Sequence, residues 1–574
     1  MAPKALALSS SFSALSPFPF PQHINPTKKL NFDNLRPNPP KPTLIVKCKS
    51  SEPQIDRETK PTSARIHGYP GSLLEHEGSG AAAPTPGQIF LERQQSMATS
   101  AMVMANTRKK KKKDKGKVLK ISTVLPSCYG CGAALQTSET DAPGYVDPDT
   151  YQLKKKHRQL RTVLCGRCRL LSHGHMITAV GGNGGYSGGK QFVSAEELRE
   201  KLSHLRYEKA LIVKLVDIVD FNGSFLAHVR DLAGANPIIL VVTKVDLLPK
   251  DTDLNCIGDW VVEATMKKKL NVLSVHLTSS KSLVGISGVV AEIQKEKKGR
   301  DVYILGSANV GKSAFINALL KTLSYKDPVA AAARKYKPIQ SAVPGTTLGP
   351  IQIDAFLGGG KLYDTPGVHL HHRQAAVVPA EDLPALAPQS RLRGRVLPLI
   401  ADQVGLNGLS GFSIFWGGLV RIDVVKALPE ARFIFYGPKA LNIHVVATEE
   451  ADEFYRKEIG GLLTPPCRKD NTDDWMGLET KRQLRINHKD IARPACDVAI
   501  SGLGWMAVEP VLSLGTSDAI LEEIGEDLVL DVHVPKPVEI FVRSPMPVGR
   551  AGAGWYDFRE LTEKELELRP KWYF

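Results

Sequence analysis

Gly306-Ser307-Ala308-Asn309-Val310-Gly311-Lys312-Ser313 has the G-x-x-x-x-G-K-[ST] spacing of a phosphate-cradling loop. Glycines at both ends let the backbone curl, so that amides from Gly306 through Asn309, Val310, Gly311 and Ala314 can face a polyphosphate at a helix N-terminus. Lys312 can reach the β- and γ-phosphates, and the Ser313 hydroxyl can sit on Mg²⁺. A base reader stands elsewhere, in Thr243-Lys244-Val245-Asp246. The Asp246 carboxylate can accept from the N1–H and N2–H edge of guanine, donors that adenine lacks, while the Lys244 stem lies along the ring. Asn is usual where Thr243 stands, which leaves one bridging contact open. Ser279-Ser280-Lys281 ends a second apolar run, and the Ser280 amide can meet guanine O6. The nucleotide expected is GTP or GDP.

Two further motifs follow the loop: Pro344-Gly345-Thr346-Thr347 and Asp364-Thr365-Pro366-Gly367. Thr347 is expected to close on Mg²⁺ and the γ-phosphate, Asp364 to hold the metal through water, and the Gly367 amide to meet the γ-phosphate. Each is also a common turn by itself; their order and distance after the loop argue for the switch roles. In Ras-like proteins the phosphate loop comes first and the base readers last. Here the base readers precede it, the order of a circularly permuted GTPase.

Each motif needs a strand to end on. Apolar runs at Ala210–Val216, Pro237–Val242, Asn271–Leu277, Val302–Leu305 and Gly349–Phe356 alternate with helical stretches. That rhythm predicts an α/β phosphate-loop domain with a mostly parallel sheet covered on both faces. Ligands of such sheets bind beyond the carboxyl ends of the strands, where all five motifs fall. Asp217 and Asp220 also end a strand and are expected to shape a loop or cap a helix.

Cys128-x-x-Cys131 and Cys165-x-x-Cys168 supply two thiolate pairs, the tetrahedral sulfur set that structural Zn²⁺ favours. C-x-x-C pairs also serve as redox dithiols. The 33 intervening residues exceed the usual ribbon spacing and predict a finger with an inserted hairpin. His173 and His175 stand close by, but four thiolates already close a site.

CYGCGA, CGRCRLLSHGH, KLVDIVDFNGSF, TKVDLLPK, ANVGKSAFINALL, SAVPGTTLGPI and YDTPGVHLHHR together resemble the circularly permuted YqeH-type GTPases, from about Pro126 to the C-terminus. The resemblance implies a GTPase that helps assemble the plastid ribosome. It places a zinc module in front and an rRNA- or small-subunit-contacting domain behind. Asn309 matches the position that helps bind K⁺ in related potassium-dependent GTPases, the alternative being simple support of the loop. A K⁺ ion there could neutralise transition-state charge. Ras-like proteins place Gln after the DxxG glycine, whereas Val368 stands here and cannot orient water. His369, His371, His372 and Arg373 are expected to be mobile surface groups beside the switch.

The chain of 574 residues has room for about three domains. Its formal charge of +16 suits polyanionic partners, and no apolar stretch reaches the length of a membrane-spanning helix. Residues 1–48, rich in Ser, Pro and basic groups, have the composition of a chloroplast transit peptide with the stroma as destination; a mitochondrial address is the alternative. Residues 49–120, with the basic run Arg108–Lys113, are expected to be a disordered linker, either an rRNA anchor or a solvated tail. The zinc module then spans 121–180, the permuted GTPase domain 190–382, and an α+β or β-rich domain 383–574. Trp416, Trp475 and Trp505 in the last could stack on bases or fill its core.

Three functional classes follow. The first is a GTP-hydrolysing assembly factor whose GTP state gates ribosome binding, slow by itself. The second is a nucleotide-regulated RNA-binding scaffold with negligible turnover. The third is a redox protein linked to nitric oxide, for which the sequence displays no haem, flavin or nicotinamide site. Intact Lys312, Ser313, Thr347 and Asp364 favour the first. Oligomeric state is left open.

Overall fold

The computed structural model describes residues 126–173, 193–336, 338–340, 345–398, 408–466, 475–487, 493–510 and 527–574. The expected transit peptide and basic linker, with His175 and Pro344, lie outside these residues.

Six strands carry the nucleotide motifs: β1 (Ala210–Asp217), β2 (Ile238–Thr243), β3 (Ser274–Leu277), β4 (Asp301–Leu305), β5 (Ile351–Ile353) and β6 (Leu362–Asp364). Ten more build the region behind: β7 (Arg395–Leu397), β8 (Phe412–Trp416), β9 (Val420–Lys426), β10 (Arg432–Tyr436), β11 (Ile443–Ala447), β12 (Thr480–Asn487), β13 (Cys496–Ile500), β14 (Gly504–Glu509), β15 (Asp527–Val534) and β16 (Ile540–Arg543). The last is β17 (Lys571–Tyr573).

The first sheet runs β17-β3-β2-β1-β4-β6-β5, parallel throughout except for β5. Every residue of β1 and β2 is buried, as strands covered on both faces must be. Period-two alternation sorts their side chains. Ile212, Val216, Leu240 and Val242 join one core, while Leu211, Val213, Leu215, Ile239 and Val241 join the other. The second core is closed by the helices Ile286–Lys297 and Lys312–Leu323. Lys214 is the exception in β1. Its side-chain nitrogen donates to the Leu226 carbonyl at 2.7 Å and lies 3.4 Å from the Phe225 ring centroid, while burial, helped by Lys268, holds its ammonium well below the ordinary lysine range.

The carboxyl-terminal region is β-rich. Two antiparallel sheets, β16-β13-β14-β10-β7 and β11-β8-β9-β15-β12, share a core that joins Ile414 and Ile422 to Phe433, Val498 and Met506. The run GFSIFWGGLV forms β8 and the turn into β9, which pair antiparallel as a hairpin. Trp416 and Trp505 are fully buried, so neither stacks on a base; Trp475 is partly buried and donates to the Tyr455 hydroxyl at 2.9 Å. Behind residue 383 the chain is not wholly separate from the first sheet, because β17 pairs in parallel with β3 at its edge.

The insertion between the cysteine pairs is helical, not a hairpin. Asp147 and Pro148 open the helix Pro148–Lys156, with the Asp147 carboxylate accepting from Thr150 N at 3.0 Å. Among the described residues, no helix is long and apolar enough to cross a membrane.

Candidate functional site

Strand β4 delivers the phosphate loop to the sheet's carboxyl edge, and the helix Lys312–Leu323 begins at its last residues. Gly311 has φ +91° and Asn309 φ +62°, left-handed values that turn the loop amides inward. Lys312 is buried and donates to the carbonyls of Gly306 and Ser307 at 3.1 and 2.8 Å. Asp364, at the end of β6, is fully buried, and neither carboxylate oxygen has a partner at hydrogen-bond geometry. Burial pushes its carboxyl up to about 7 against the pull of Lys312 and the nearby Ser313 hydroxyl. Burial likewise draws Lys312 down to about 8, with Asp364 working in the opposite direction. A fully buried carboxylate beside the Ser313 hydroxyl, with no strong partner for either oxygen, suits a hard divalent cation with oxygen ligands, so these residues fit Mg²⁺.

A cavity of about 570 Å³ brings Asn309, Gly311, Lys312, Ser313, Ala314, Thr347 and Gly367 together. Gly367 lies so close to the loop that a Cβ would stand 2.9 Å from both the Ala308 Cα and the Lys312 ammonium. Val368 is buried and locked to the loop: its carbonyl accepts from Ala308 N at 2.8 Å and its amide donates to Gly306 O at 3.3 Å.

A second cavity, of about 820 Å³, adjoins through Lys244, Gly311 and Ala314. It is lined by Thr243, Asp246, Ser280 and Lys281. Ser279 is buried, and its hydroxyl accepts from Ser282 N at 3.0 Å, shaping the turn that presents Ser280. Thr243 ties β2 to the phosphate loop. Its single hydroxyl proton is placed between Val310 O at 2.7 Å and Val216 O at 3.1 Å. Lys244 donates to the Asp217 carboxylate at 2.6 Å and to Asn309 O at 2.9 Å.

The two strand-end aspartates therefore do more than shape a loop. Asp217 holds Lys244 while accepting from Val219 N at 3.0 Å. Asp220 accepts from Arg373 Nε at 2.9 Å, and Arg373 also donates to the Ala308 carbonyl at 2.6 Å. Burial raises the Asp220 carboxyl, with Arg373 pulling it back. Arg373 is thus a buried group at the phosphate loop, contrary to its expected surface mobility, and His372 bonds the Gly223 carbonyl at 3.1 Å. Arg373 closes the YDTPGVHLHHR run, but nothing in that run showed that it would turn inward onto the loop. The turn between β13 and β14 also reaches the first cavity through Gly502 and Leu503.

Away from the nucleotide cavities, the sulfurs of Cys128, Cys131, Cys165 and Cys168 lie within 4.8 Å of one another, all fully buried. Gly130 N and Cys165 N point at the Cys128 sulfur at 3.4 and 3.3 Å, the environment of a stabilised thiolate. The bond with Cys131 lowers Cys128 to about 7, and the bond with Cys128 pulls Cys165 far below the thiol range. Bonds with Cys128 push Cys131 and Cys168 far above it. Four such sulfurs cannot all ionise without a cation between them, and a soft tetrahedral metal fits that donor set.

Residues 301–387 match the family described as "50S ribosome-binding GTPase", and residues 430–546 match "YqeH-like, C-terminal". The chain is 66% identical to a protein of Oryza sativa subsp. japonica named putative nitric oxide synthase, over 93% of this chain and 96% of that one. It is 63% identical to NO-associated protein 1, chloroplastic/mitochondrial, of Arabidopsis thaliana, covering 93% and 94%. Against YqeH of Bacillus subtilis (strain 168) the identity is 33%, over 72% of this chain and 98% of the other.

Proposed function

The chain belongs to the YqeH-like GTPase family, and we propose that it is a circularly permuted member that helps assemble the chloroplast ribosome, binding rRNA and the small subunit in its GTP state. It hydrolyses GTP to GDP and phosphate. Permutation is supported by β2 and β3, which carry the base readers, preceding β4 and its phosphate loop in the chain.

In this reading Gly306 and Asn309 through Ala314 hold the phosphates, and Ser313, Thr347 and Asp364 hold Mg²⁺. Thr243, Lys244, Asp246 and Ser279–Lys281 form the guanine side. The metal supplies charge neutralisation at the β- and γ-phosphates. Lys312 adds the fixed cation, and the Gly367 amide a donor toward the γ-phosphate. Turnover is slow because Val368 offers no polar group to the attacking water, and K⁺ held near Asn309 raises it. A Zn²⁺ ion closes the four-cysteine module.

The observation that carries the gating is the reach of the carboxyl-terminal sheets into the phosphate cavity. Gly502 and Leu503 line it, and the Ser501 carbonyl accepts from Gln374 N at 2.9 Å, immediately after Arg373. A γ-phosphate that moves the Asp364–Arg373 segment therefore moves the domain assigned to RNA. The organellar address of the Arabidopsis relative and the composition of residues 1–48 support the chloroplast, with the mitochondrion as the alternative.

The test is co-sedimentation with organellar ribosomal subunits in GDP and in a nonhydrolysable GTP analogue. Analogue-dependent migration with the small subunit is expected. Because the matching family's description names the 50S subunit, migration with the large subunit would replace the assigned partner. Equal binding in both nucleotides would remove the gating.

A further inference from the structure

The four-cysteine module and the segment carrying Thr347 are joined backbone to backbone. The Cys131 carbonyl accepts from Leu348 N at 2.7 Å and from Gly349 N at 3.1 Å. Gly132 and Gly349 cross so closely that a Cβ on Gly132 would lie 2.2 Å from the Gly349 oxygen, and one on Gly349 2.5 Å from the Gly132 oxygen. Only glycine permits that approach on either side.

Arg167, between Cys165 and Cys168, is buried, and its guanidinium donates to the Gly345 carbonyl and to the Thr346 carbonyl, the latter at 3.3 Å. Lys201 adds a bond to the Leu348 carbonyl at 3.3 Å. Thr347 is therefore gripped on both sides: Gly345 and Thr346 before it by Arg167, Leu348 and Gly349 after it by Cys131. In the structure it is 7% exposed and faces the phosphate cavity.

We propose that the four-cysteine module is the mount of this switch segment, with Arg167 as a positioning residue that sets Thr347 toward the γ-phosphate. The metal that closes the module acts on the nucleotide through this mount, by keeping the Cys131 carbonyl and Arg167 where the switch needs them. A switch loop free in solution must be ordered when GTP arrives, which costs conformational entropy. Here most of that ordering is already present in the module's fold, so the mount favours the triphosphate state. The inference rests on Thr347 being the threonine that closes on Mg²⁺ and the γ-phosphate.

Zinc-loaded protein carrying Arg167→Ala, Arg167→Lys, Gly349→Ala or Thr347→Ala is compared with wild type. The readouts are zinc content, affinity for GDP and for a nonhydrolysable GTP analogue in Mg²⁺, and amide exchange at Leu348 and Gly349. Arg167→Ala should keep GDP affinity, lose about tenfold in analogue affinity as charge-assisted bonds to the two carbonyls disappear, and exchange faster at Leu348 and Gly349. Arg167→Lys, a single-point donor without the fork, should recover only part. Gly349→Ala lies outside the module and should reproduce the effect with zinc retained, which keeps the test decisive if Arg167→Ala loses metal. If Thr347→Ala abolishes the analogue preference while Arg167→Ala and Gly349→Ala keep both preference and exchange at wild-type values, the mount is overturned. If Thr347→Ala itself changes nothing, the assignment of the switch threonine falls instead.

Discussion

At the scale of single residues, the proposed rate rests on Asn309 and Val368. Val368 is buried with both backbone groups bonded to the phosphate loop, so no side-chain movement there can present a donor to water. Asn309 holds a left-handed backbone at the loop's inner bend, and its carbonyl receives the Lys244 ammonium at 2.9 Å. Turnover of the isolated protein is expected near the unassisted range of about 10⁻³ to 10⁻² s⁻¹. Replacing Na⁺ by K⁺ at constant ionic strength should raise it, and Asn309→Ala should erase that difference while leaving GDP affinity nearly unchanged. Identical rates in the two salts would assign the missing catalytic group to a partner. Arg373 also reaches the phosphate loop, but its guanidinium is committed to Asp220 and the Ala308 carbonyl.

At the scale of elements, the cysteine module is a small unit whose core is largely its four cysteines. Cys128, Cys131, Cys165 and Cys168 pack with Leu135, Val146 and Val163, flanked by the partly buried Ala133, Tyr151, Leu160, Leu164 and Ile339. Seven buried side chains give a core too thin to hold the turns without a staple. One Zn²⁺ per chain is therefore expected by atomic absorption. Cys165→Ser should lose it and unfold residues 126–173 locally, visible as new protease sites there, while the sheet around β1 stays intact. A metal-free preparation that resisted protease as the loaded one does would remove the structural role of the metal.

For the molecule as a whole, the chain's end braces its middle. Strand β17 adds to the edge of the first sheet beside β3, the strand that leads into Ser280 and Lys281. Trp572 packs so tightly on Gly258 that a Cβ there would lie 2.4 Å from the indole, and Arg569 pairs with Asp259 at 2.7 Å and Glu263 at 3.1 Å. Tyr573 stacks on His276 with ring centroids 5.1 Å apart. Trp572→Ala removes a half-buried ring worth about 2 kcal/mol of apolar burial. It should speed amide exchange across Ser274–Leu277 and weaken GDP binding modestly. Unchanged exchange in β3 would show the brace to be ornamental.

What was legible in the chain was whatever a short window contains. The phosphate loop, its flanking strand and helix, the Thr243–Asp246 turn and the two C-x-x-C pairs each fall within a few residues, and local geometry forces their conformation. The apolar runs of β1, β2 and β4 were equally plain, because a strand buried on both faces leaves no room for polar residues. Contacts between residues far apart in the chain had no such signature. Thr243 meets Val310 across 67 positions, Arg373 meets Ala308 across 65, and Arg167 meets Thr346 across 179. Each depends on where two elements end in space, which side-chain periodicity does not encode. The insertion at Pro148–Lys156 and the return of β17 to the first sheet were missed on different grounds. A capping Asp147-Pro148 outweighed a hairpin inferred from spacing alone, and a three-residue edge strand is too short to show a period. The sequence by itself determined which chemistry the protein could do, since ligand-binding residue types at fixed spacing are a local property. Which arginine meets the phosphate loop and which module bonds the Gly345–Gly349 segment were decided only by tertiary packing, because a buried guanidinium takes its carbonyl partners from whatever backbone the fold brings beside it.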